Sequence, residues 1–428
     1  VKALLRLPIF YGWFIVAISM LAAFLAAGLN NISMAVVFKP LSEEMGWSRS
    51  LIAGAVTAGT LGAGLLSPLF GRLADRLGPR LLLPVGTATV GSLAIGLSLC
   101  SEPWQFYVAY TPARALGDTL LAGVVPITAV TNWFYLKRPR AMGWVVMAVP
   151  MGSAVLALVY QFLISLWGWR SVFVVLGALL WIVVVLPGAV LLRRQPEDLG
   201  LLPDGENPRR VRRAESASSP SRIRPVATDA EYSWRPRDAM RTRALWFIVI
   251  GVTLSVIATG GIGLNLLAYY TDIGIGVTIA TGSLSLFALA GSLGNVFWGA
   301  LAERFDIRRL TTLTLFLAAV SVAYLLSARG VIGAFLFSFF FGLTARGNAV
   351  LAHVLIAHYF GRRSFGAISG IMDPFARTGL GAGGLIAAAG FDLTGGYEAV
   401  FIGFIATFLV ATVLIYLAER PEPPNKSG

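Results

Sequence analysis

The sequence predicts an all-α membrane protein with twelve transmembrane helices in two parallel six-helix repeats. Three observations lead there: the apolar content, the spacing of apolar runs, and self-similarity along the chain. Of 428 residues, 57% are hydrophobic and only 13% charged, and mean hydropathy is +0.76. A soluble core of this length cannot hide so much apolar surface, so lipid is the solvent for most of it.

A helix needs roughly 20 apolar residues to cross the hydrocarbon. Runs of that kind fall, in order, near 10–37, 50–70, 81–101, 105–131, 142–166, 171–192, 245–270, 276–300, 310–328, 331–358, 365–390 and 397–418. Lys2 and Arg6 precede the first run, which continues to Val37. That is too long for a signal-peptide core, so the segment reads as an uncleaved helix. Of the 34 Lys and Arg residues, 27 fall on the side that holds both termini. Four (Lys39, Arg49, Arg170, Arg329) fall on the other, and three (Arg114, Arg346, Arg377) fall inside runs. Positive charge marks the cytoplasmic face, so both termini are expected there, in a multi-pass inner (cytoplasmic) membrane protein. The net charge of +13 therefore reports topology, and no nucleic-acid partner is expected. Cys100 is the only cysteine, which excludes an intramolecular disulfide and a cysteine-based metal site. No metal and no cofactor is expected.

Local patterns recur at a nearly constant offset. Gly71-Arg-Leu-Ala-Asp75-Arg76 returns 228 residues later as Gly299-Ala-Leu-Ala-Glu303-Arg304, and Gly168-Trp-Arg-Ser-Val-Phe173 returns, again 228 later, as Gly396-Tyr-Glu-Ala-Val-Phe401. Phe134 and Ala141 return as Phe360 and Ala367, and Gly28-Leu29-Asn30 as Gly263-Leu264-Asn265. An even number of helices per repeat gives both halves one orientation, with a substrate site expected between them near the midplane. The expected organisation is a half at 1–192, a cytoplasmic linker at 193–243 and a half at 244–428. The linker clusters Arg209, Arg210, Arg212 and Arg213 ahead of Ser216 to Pro220. It reads as a flexible connection or as a basic segment held against anionic lipid.

The run from Gly71 through Asp75 and Arg76 to Arg80 resembles the loop between helices 2 and 3 of the major facilitator superfamily, and with the repeat the resemblance covers nearly the whole chain. It implies a transporter fold in which Asp75 faces the N-terminus of helix 11 while nearby arginines pair with acids. Gly71, Asp75, Arg76 and Arg80, with Glu303 and Arg304 in the second repeat, are then gating residues. Tyr11-Gly12-Trp13, Gly46-Trp-Ser-Arg49, Gln195-Pro-Glu-Asp-Leu-Gly200 and Tyr359-Phe-Gly361 are similar to bacterial members of the monocarboxylate and oxalate/formate group. Where monocarboxylate carriers have an aspartate and an arginine in helix 8, this chain has Gly291 and Asn295.

A charge at the centre of a membrane helix costs ~2.5–3.5 kcal/mol, so intramembrane ions need a reason. Arg114 and Asp118 share a face of the fourth run, Asp373 and Arg377 share a face of the eleventh, and Arg346 in the tenth has no such partner. In this superfamily helices 1, 4, 7 and 10 line the cavity. The resemblance therefore brings Arg114, Arg346, Asn30 and Asn265 together, and three guanidinium groups against two carboxylates favour an anion. Arg346, Arg377, Arg114, Asn30, Asn265 and Asn295 are the candidate substrate contacts. Asp118, Asp373 and His353 are the candidate proton-coupling groups, each also open to a purely structural role, and His358 reads as an interfacial structural histidine. The glycines at 260, 261 and 263 suit either a hinge or close helix packing, and those from Gly379 to Gly384 suit close packing.

No nucleotide loop, metal cluster or hydrolase motif is present in the sequence, so an enzyme is not expected. The expected function is alternating-access transport of a small organic anion, a carboxylate, coupled to protons or exchanging one anion for another, by a monomer in the bilayer. An exporter of amphipathic compounds and a non-transporting receptor of the same fold are the alternatives.

Overall fold

A computed structural model describes residues 10–205, 234–328 and 330–422, and among these there is no strand. The first six long helices are α1 (Gly12–Met45), α2 (Ser50–Leu77), α3 (Pro79–Leu97), α4 (Pro103–Trp133), α5 (Arg138–Trp167) and α6 (Trp169–Leu191). The second six are α7 (Arg243–Asp272), α8 (Thr278–Leu301), α9 (Ile307–Ser327), α10 (Gly330–Phe360), α11 (Phe365–Thr394) and α12 (Glu398–Leu417). Eleven of them are long and apolar enough to cross a membrane. The twelfth, α11, has 30 residues, about 45 Å of helix. Asp373, Arg377 and its glycines dilute the hydropathy of α11 without shortening it.

Helix ends follow local chemistry. Ser48 caps α2 by accepting from Leu51 N at 3.3 Å, and Pro79 and Pro103 open α3 and α4, where a missing N–H costs nothing. α2 and α3 are joined by Gly78 (φ 82°) and α5 and α6 by Gly168 (φ 74°). A single left-handed residue reverses the chain in each case, which favours glycine. In the second repeat it is Gly395 (φ 71°) that takes this conformation, one residue before the Gly396 that the sequence pairs with Gly168.

The chain forms two compact units. Unit one runs through Pro236 and includes Phe360–Gly370, the start of α11; unit two holds Arg237–Tyr359 and Ile371–Glu422. Within unit two, the glycines of α7 and α11 lie against one another. A Cβ at Gly260 would sit 2.7 Å from Leu380 O, and one at Gly383 would sit 2.9 Å from Gly261 N. These glycines serve close packing, and α7 runs without a break through 260–263.

Part of the expected linker is an ordered strap on unit one. Trp133 Nε1 donates to Arg193 O at 3.2 Å. Asp204 accepts from the backbone N–H groups of Tyr135, Leu136 and Lys137 at 3.0, 2.7 and 3.0 Å, just ahead of α5. A carboxylate there fills the anion-attracting start of a helix. The arginines at 209–213 and the Ser216–Pro220 stretch lie outside the described residues.

Candidate substrate site and gate

In unit one the site is built around a broken helix. α1 is interrupted at Asn30, whose backbone is extended (φ −82°, ψ 174°) between a short 3₁₀ turn, Ala27–Leu29, and a second helical piece, Asn31–Met45. Breaking a helix inside a membrane exposes backbone groups that lipid cannot satisfy. Here side chains satisfy them. Ser33 Oγ donates to Ala27 O (2.9 Å), Tyr160 OH to Gly28 O (3.0 Å) and Tyr110 OH to Leu29 O (2.6 Å). Asn30 Oδ1 accepts from Ile32 N and Ser33 N at 3.0 and 3.2 Å, and its Nδ2 donates to Ser153 Oγ. Asn30 is therefore a helix cap whose amide is already engaged.

Arg114, 6% exposed, stands beside the start of the second piece. Its Nη2 reaches Asn31 Oδ1 at 3.4 Å and Asp118 Oδ2 at 3.3 Å, while Nε and Nη1 are buried without an acceptor. The expected Arg114–Asp118 pair thus forms, with Asp118 on a π-helical turn, Gly117–Leu121. Gly59 on α2 makes room for the arginine: a Cβ there would lie 2.6 Å from Arg114 Cγ.

Unit two repeats this packing. Arg346 ends a π-helical turn, Gly342–Arg346, and lies across α8, where a Cβ at Gly291 would be 2.6 Å from its Cδ. Its guanidinium sits 5.2 Å from the ring centroid of Phe287, and among the described residues it has no carboxylate partner. Arg114 and Arg346 are separated by 232 residues, as are Gly59 and Gly291. The two arginines are repeat equivalents, each laid on a glycine of the neighbouring helix, and this shared spacing was the signal that would have found the pair. Asn295, 3% exposed, donates from Nδ2 to Gly291 O at 2.9 Å and leaves Oδ1 without a donor. Arg346 and Asn295 therefore each lie against Gly291.

The other sequence candidates are placed differently. Asn265 donates to Gly261 O (2.9 Å) one turn back along a continuous α7. It is no counterpart of Asn30, because nothing there breaks the helix and its amide has a carbonyl of its own. Asp373 and Arg377 lie half-buried on α11, both engaged in interactions. His353 Nδ1 lies 2.8 Å from Ala349 O, which directs Nε2 outward, and His358 is exposed.

The gating motif forms a compact knot within unit one. Asp75 accepts from Gly366 N at 2.9 Å and Ala367 N at 2.7 Å, in the first turn of α11. Gly71, one turn earlier on α2, allows the approach, since a Cβ there would fall 2.7 Å from the Gly366 carbonyl carbon. Arg76 and Arg80 are exposed and have no ion pair among the described residues. This corrects the expected pairing, and the partner beside Asp75 is instead Arg194 of the strap, whose Nη2 donates to Asp75 O at 3.0 Å. Arg362 donates to Asn132 O (3.2 Å) and to Glu197 Oε1 (2.8 Å). Glu303 is half-buried and engaged, and Arg304 is exposed. Among the described residues no His/Cys/Asp/Glu group could hold a metal.

The family model described as Major Facilitator Superfamily matches residues 16–331 and 248–428. The chain belongs to the major facilitator superfamily. Within this superfamily of transporters it resembles the monocarboxylate transporter branch. It is 28% identical over 181 residues to Monocarboxylate transporter 1 of Homo sapiens, covering 40% of this chain and 34% of the relative. It is also 28% identical over 165 residues to a probable L-galactonate transporter of Escherichia coli, covering 38% and 36%. These alignments span about a third of each relative's length. An MFS-type transporter of Gibberella moniliformis is 26% identical over 371 residues, covering 83% of this chain and 79% of that one. The solved structure of the superfamily transporter FucP shares the fold, with a TM-score of 0.69 at 13% identity, covering 95% of this chain and 99% of that chain.

Proposed function

We propose that this superfamily member is a secondary transporter of a small organic anion, a monocarboxylate, working by alternating access. The observation that carries the proposal is Arg346: a guanidinium inside a membrane-spanning helix, laid on Gly291 and Phe287, with no carboxylate among the described residues to neutralise it. Such a charge is costly in lipid, and a substrate carboxylate would complete it with a charge-assisted, planar pairing. The open acceptor Oδ1 of Asn295, beside the same glycine, suits a hydroxyl on that substrate. Two relatives of this chain are named for monocarboxylate and for L-galactonate transport, which fits a carboxylate that also bears hydroxyl groups.

Within unit one, Arg114 is proposed as a cationic contact in its own right, and Asp118 beside it is the group proposed to gain or lose a proton; exchange of one anion for another is the alternative coupling. Asp373, Arg377 and His353 are secondary candidates. Asp75 is proposed as the latch that closes one end of the substrate path and releases when that end opens. The protein is proposed to act as a monomer in an inner membrane, with its arginine-rich end toward the cytoplasm.

The test is a thermal-shift screen of purified protein with lactate, glycerate, galactonate, oxalate, fucose and a cationic amphiphile, on wild type and Arg346→Ala. A ligand at about 100 times its Kd stabilises the folded state by ~2.7 kcal/mol. Stabilisation of wild type by a hydroxy acid, lost in Arg346→Ala, supports anion transport. Stabilisation by the amphiphile or by fucose alone overturns it.

A further inference from the structure

We propose that a cavity at the Arg243 end of unit two binds the phosphate headgroup of an anionic phospholipid. The cavity, about 720 Å³, lies where α7 begins, α9 begins and α12 ends, and its walls include Arg243, Arg308, Arg420, Glu419, Tyr416 and Phe247. A volume of this order accommodates a small polar ligand.

Charge selects an anion. Three guanidinium groups face one carboxylate, and Glu419 is engaged with Arg308 at 3.7 Å. Arg243 and Arg420 take part in no ion pair among the described residues, so the walls carry two uncompensated positive charges. The start of α7, capped only by the neutral Thr242, adds its positive helix end to the same wall, whereas the start of α9 is already capped by the Asp306 carboxylate. Forked guanidinium groups suit phosphate oxygens.

Position selects a lipid over a soluble phosphate. Tyr416 and Leu417, which line the cavity, are 60% and 52% exposed, and one turn further into α12 Val413 is 54% exposed. Leu313 and Phe316 on α9 are 46% and 47% exposed. Apolar surface on membrane-spanning helices faces acyl chains, so the cavity opens where headgroup chemistry gives way to hydrocarbon. Tyr416, with Arg308 5.9 Å above its ring, is an aromatic of the kind that collects at that boundary. Basic pockets between helices at this level suit anionic headgroups.

The experiment uses the delipidated full chain and native mass spectrometry. The probes are dioleoylphosphatidylglycerol, dioleoylphosphatidylcholine and glycerol 1-phosphate, which has the phosphate without the chains. Dioleoylphosphatidylglycerol is expected to bind about tenfold more tightly than the choline lipid, and glycerol 1-phosphate is expected neither to bind nor to compete. The double variant Arg243→Gln/Arg420→Gln should lose that selectivity, while Arg309→Gln, an exposed arginine outside the cavity, should keep it. Photoactivatable phosphatidylglycerol on wild type, which requires no variant, should label peptides around residues 243–247 and 416–421. Selectivity retained in the double variant, equal loss in Arg309→Gln, or labelling elsewhere would show only diffuse surface attraction and overturn the site. Equal binding of glycerol 1-phosphate would overturn the lipid as its occupant.

Discussion

Asp75→Asn should loosen the start of α11 by a measurable amount. The native carboxylate accepts two backbone N–H groups, from Gly366 and Ala367, at 2.9 and 2.7 Å. Hydrogen bonds to a charged group contribute about 1.5–3 kcal/mol each and neutral ones about 0.5–1.5. The asparagine keeps one acceptor oxygen and turns an NH2 donor toward the other amide, so one bond is lost and the other loses its charge. Discounting for the residual solvent exposure of this mostly buried carboxylate, the net loss is about 2–3 kcal/mol. At 1.4 kcal/mol per decade that is roughly a 30- to 150-fold increase in local opening. Hydrogen exchange of the peptide covering residues 362–372, with the protein in nanodiscs, reads this directly. Gly71→Ala should act the same way by a different route, because its Cβ would press on the Gly366 backbone. Arg76→Ala should change nothing, since that arginine is exposed and has no ion pair among the described residues. Unchanged exchange in Asp75→Asn, within about threefold, would refute the claim that these two bonds hold the helix start.

Two further outcomes separate structural roles. Asn30→Ala should cost ~1–2 kcal/mol of stability in detergent-titration unfolding, because it removes the cap from the second piece of α1; Asn265→Ala should stay within ~0.5 kcal/mol. Asp204→Ala leaves three strap-binding amides without their acceptor, and limited tryptic cleavage after Arg193 and Arg194 should speed up about tenfold.

How far the sequence reached depended on the range of the interaction involved. Gly71 and Asp75 are one helical turn apart, so their common face could be read from the spacing, while the facing of Asp75 onto the start of helix 11, 291 residues away, was implied by the family resemblance. The fate of Gly-Leu-Asn could not. At Asn30 the helix breaks, because Ser153, Tyr110 and Tyr160, 81 to 132 residues along the chain from the groups they bond, satisfy what the break exposes. At Asn265 the same tripeptide stays helical, and the amide bonds to a carbonyl four residues back. A local hint existed: Asn31-Ile32-Ser33 follows the first and Leu266-Leu267-Ala268 the second, and only the first is rich in capping groups. The shared 232-residue spacing of Arg114 and Arg346 and of Gly59 and Gly291 is in the sequence, but its meaning is given by the packing of each arginine on a glycine of the neighbouring helix.

By itself, the sequence determined the solvent, the number of long helices, their repeat and the charged residues that have to be explained. These follow from hydropathy, periodicity and spacing, which are properties of the chain within a few turns. Tertiary structure alone decided which asparagine is a cap, that Arg194 rather than Arg76 or Arg80 accompanies Asp75, and that the linker begins as a strap held by Asp204. Each depends on which distant group supplies the missing donor or acceptor, and a buried polar atom is satisfied by whatever the fold brings to it, not by its neighbours along the chain.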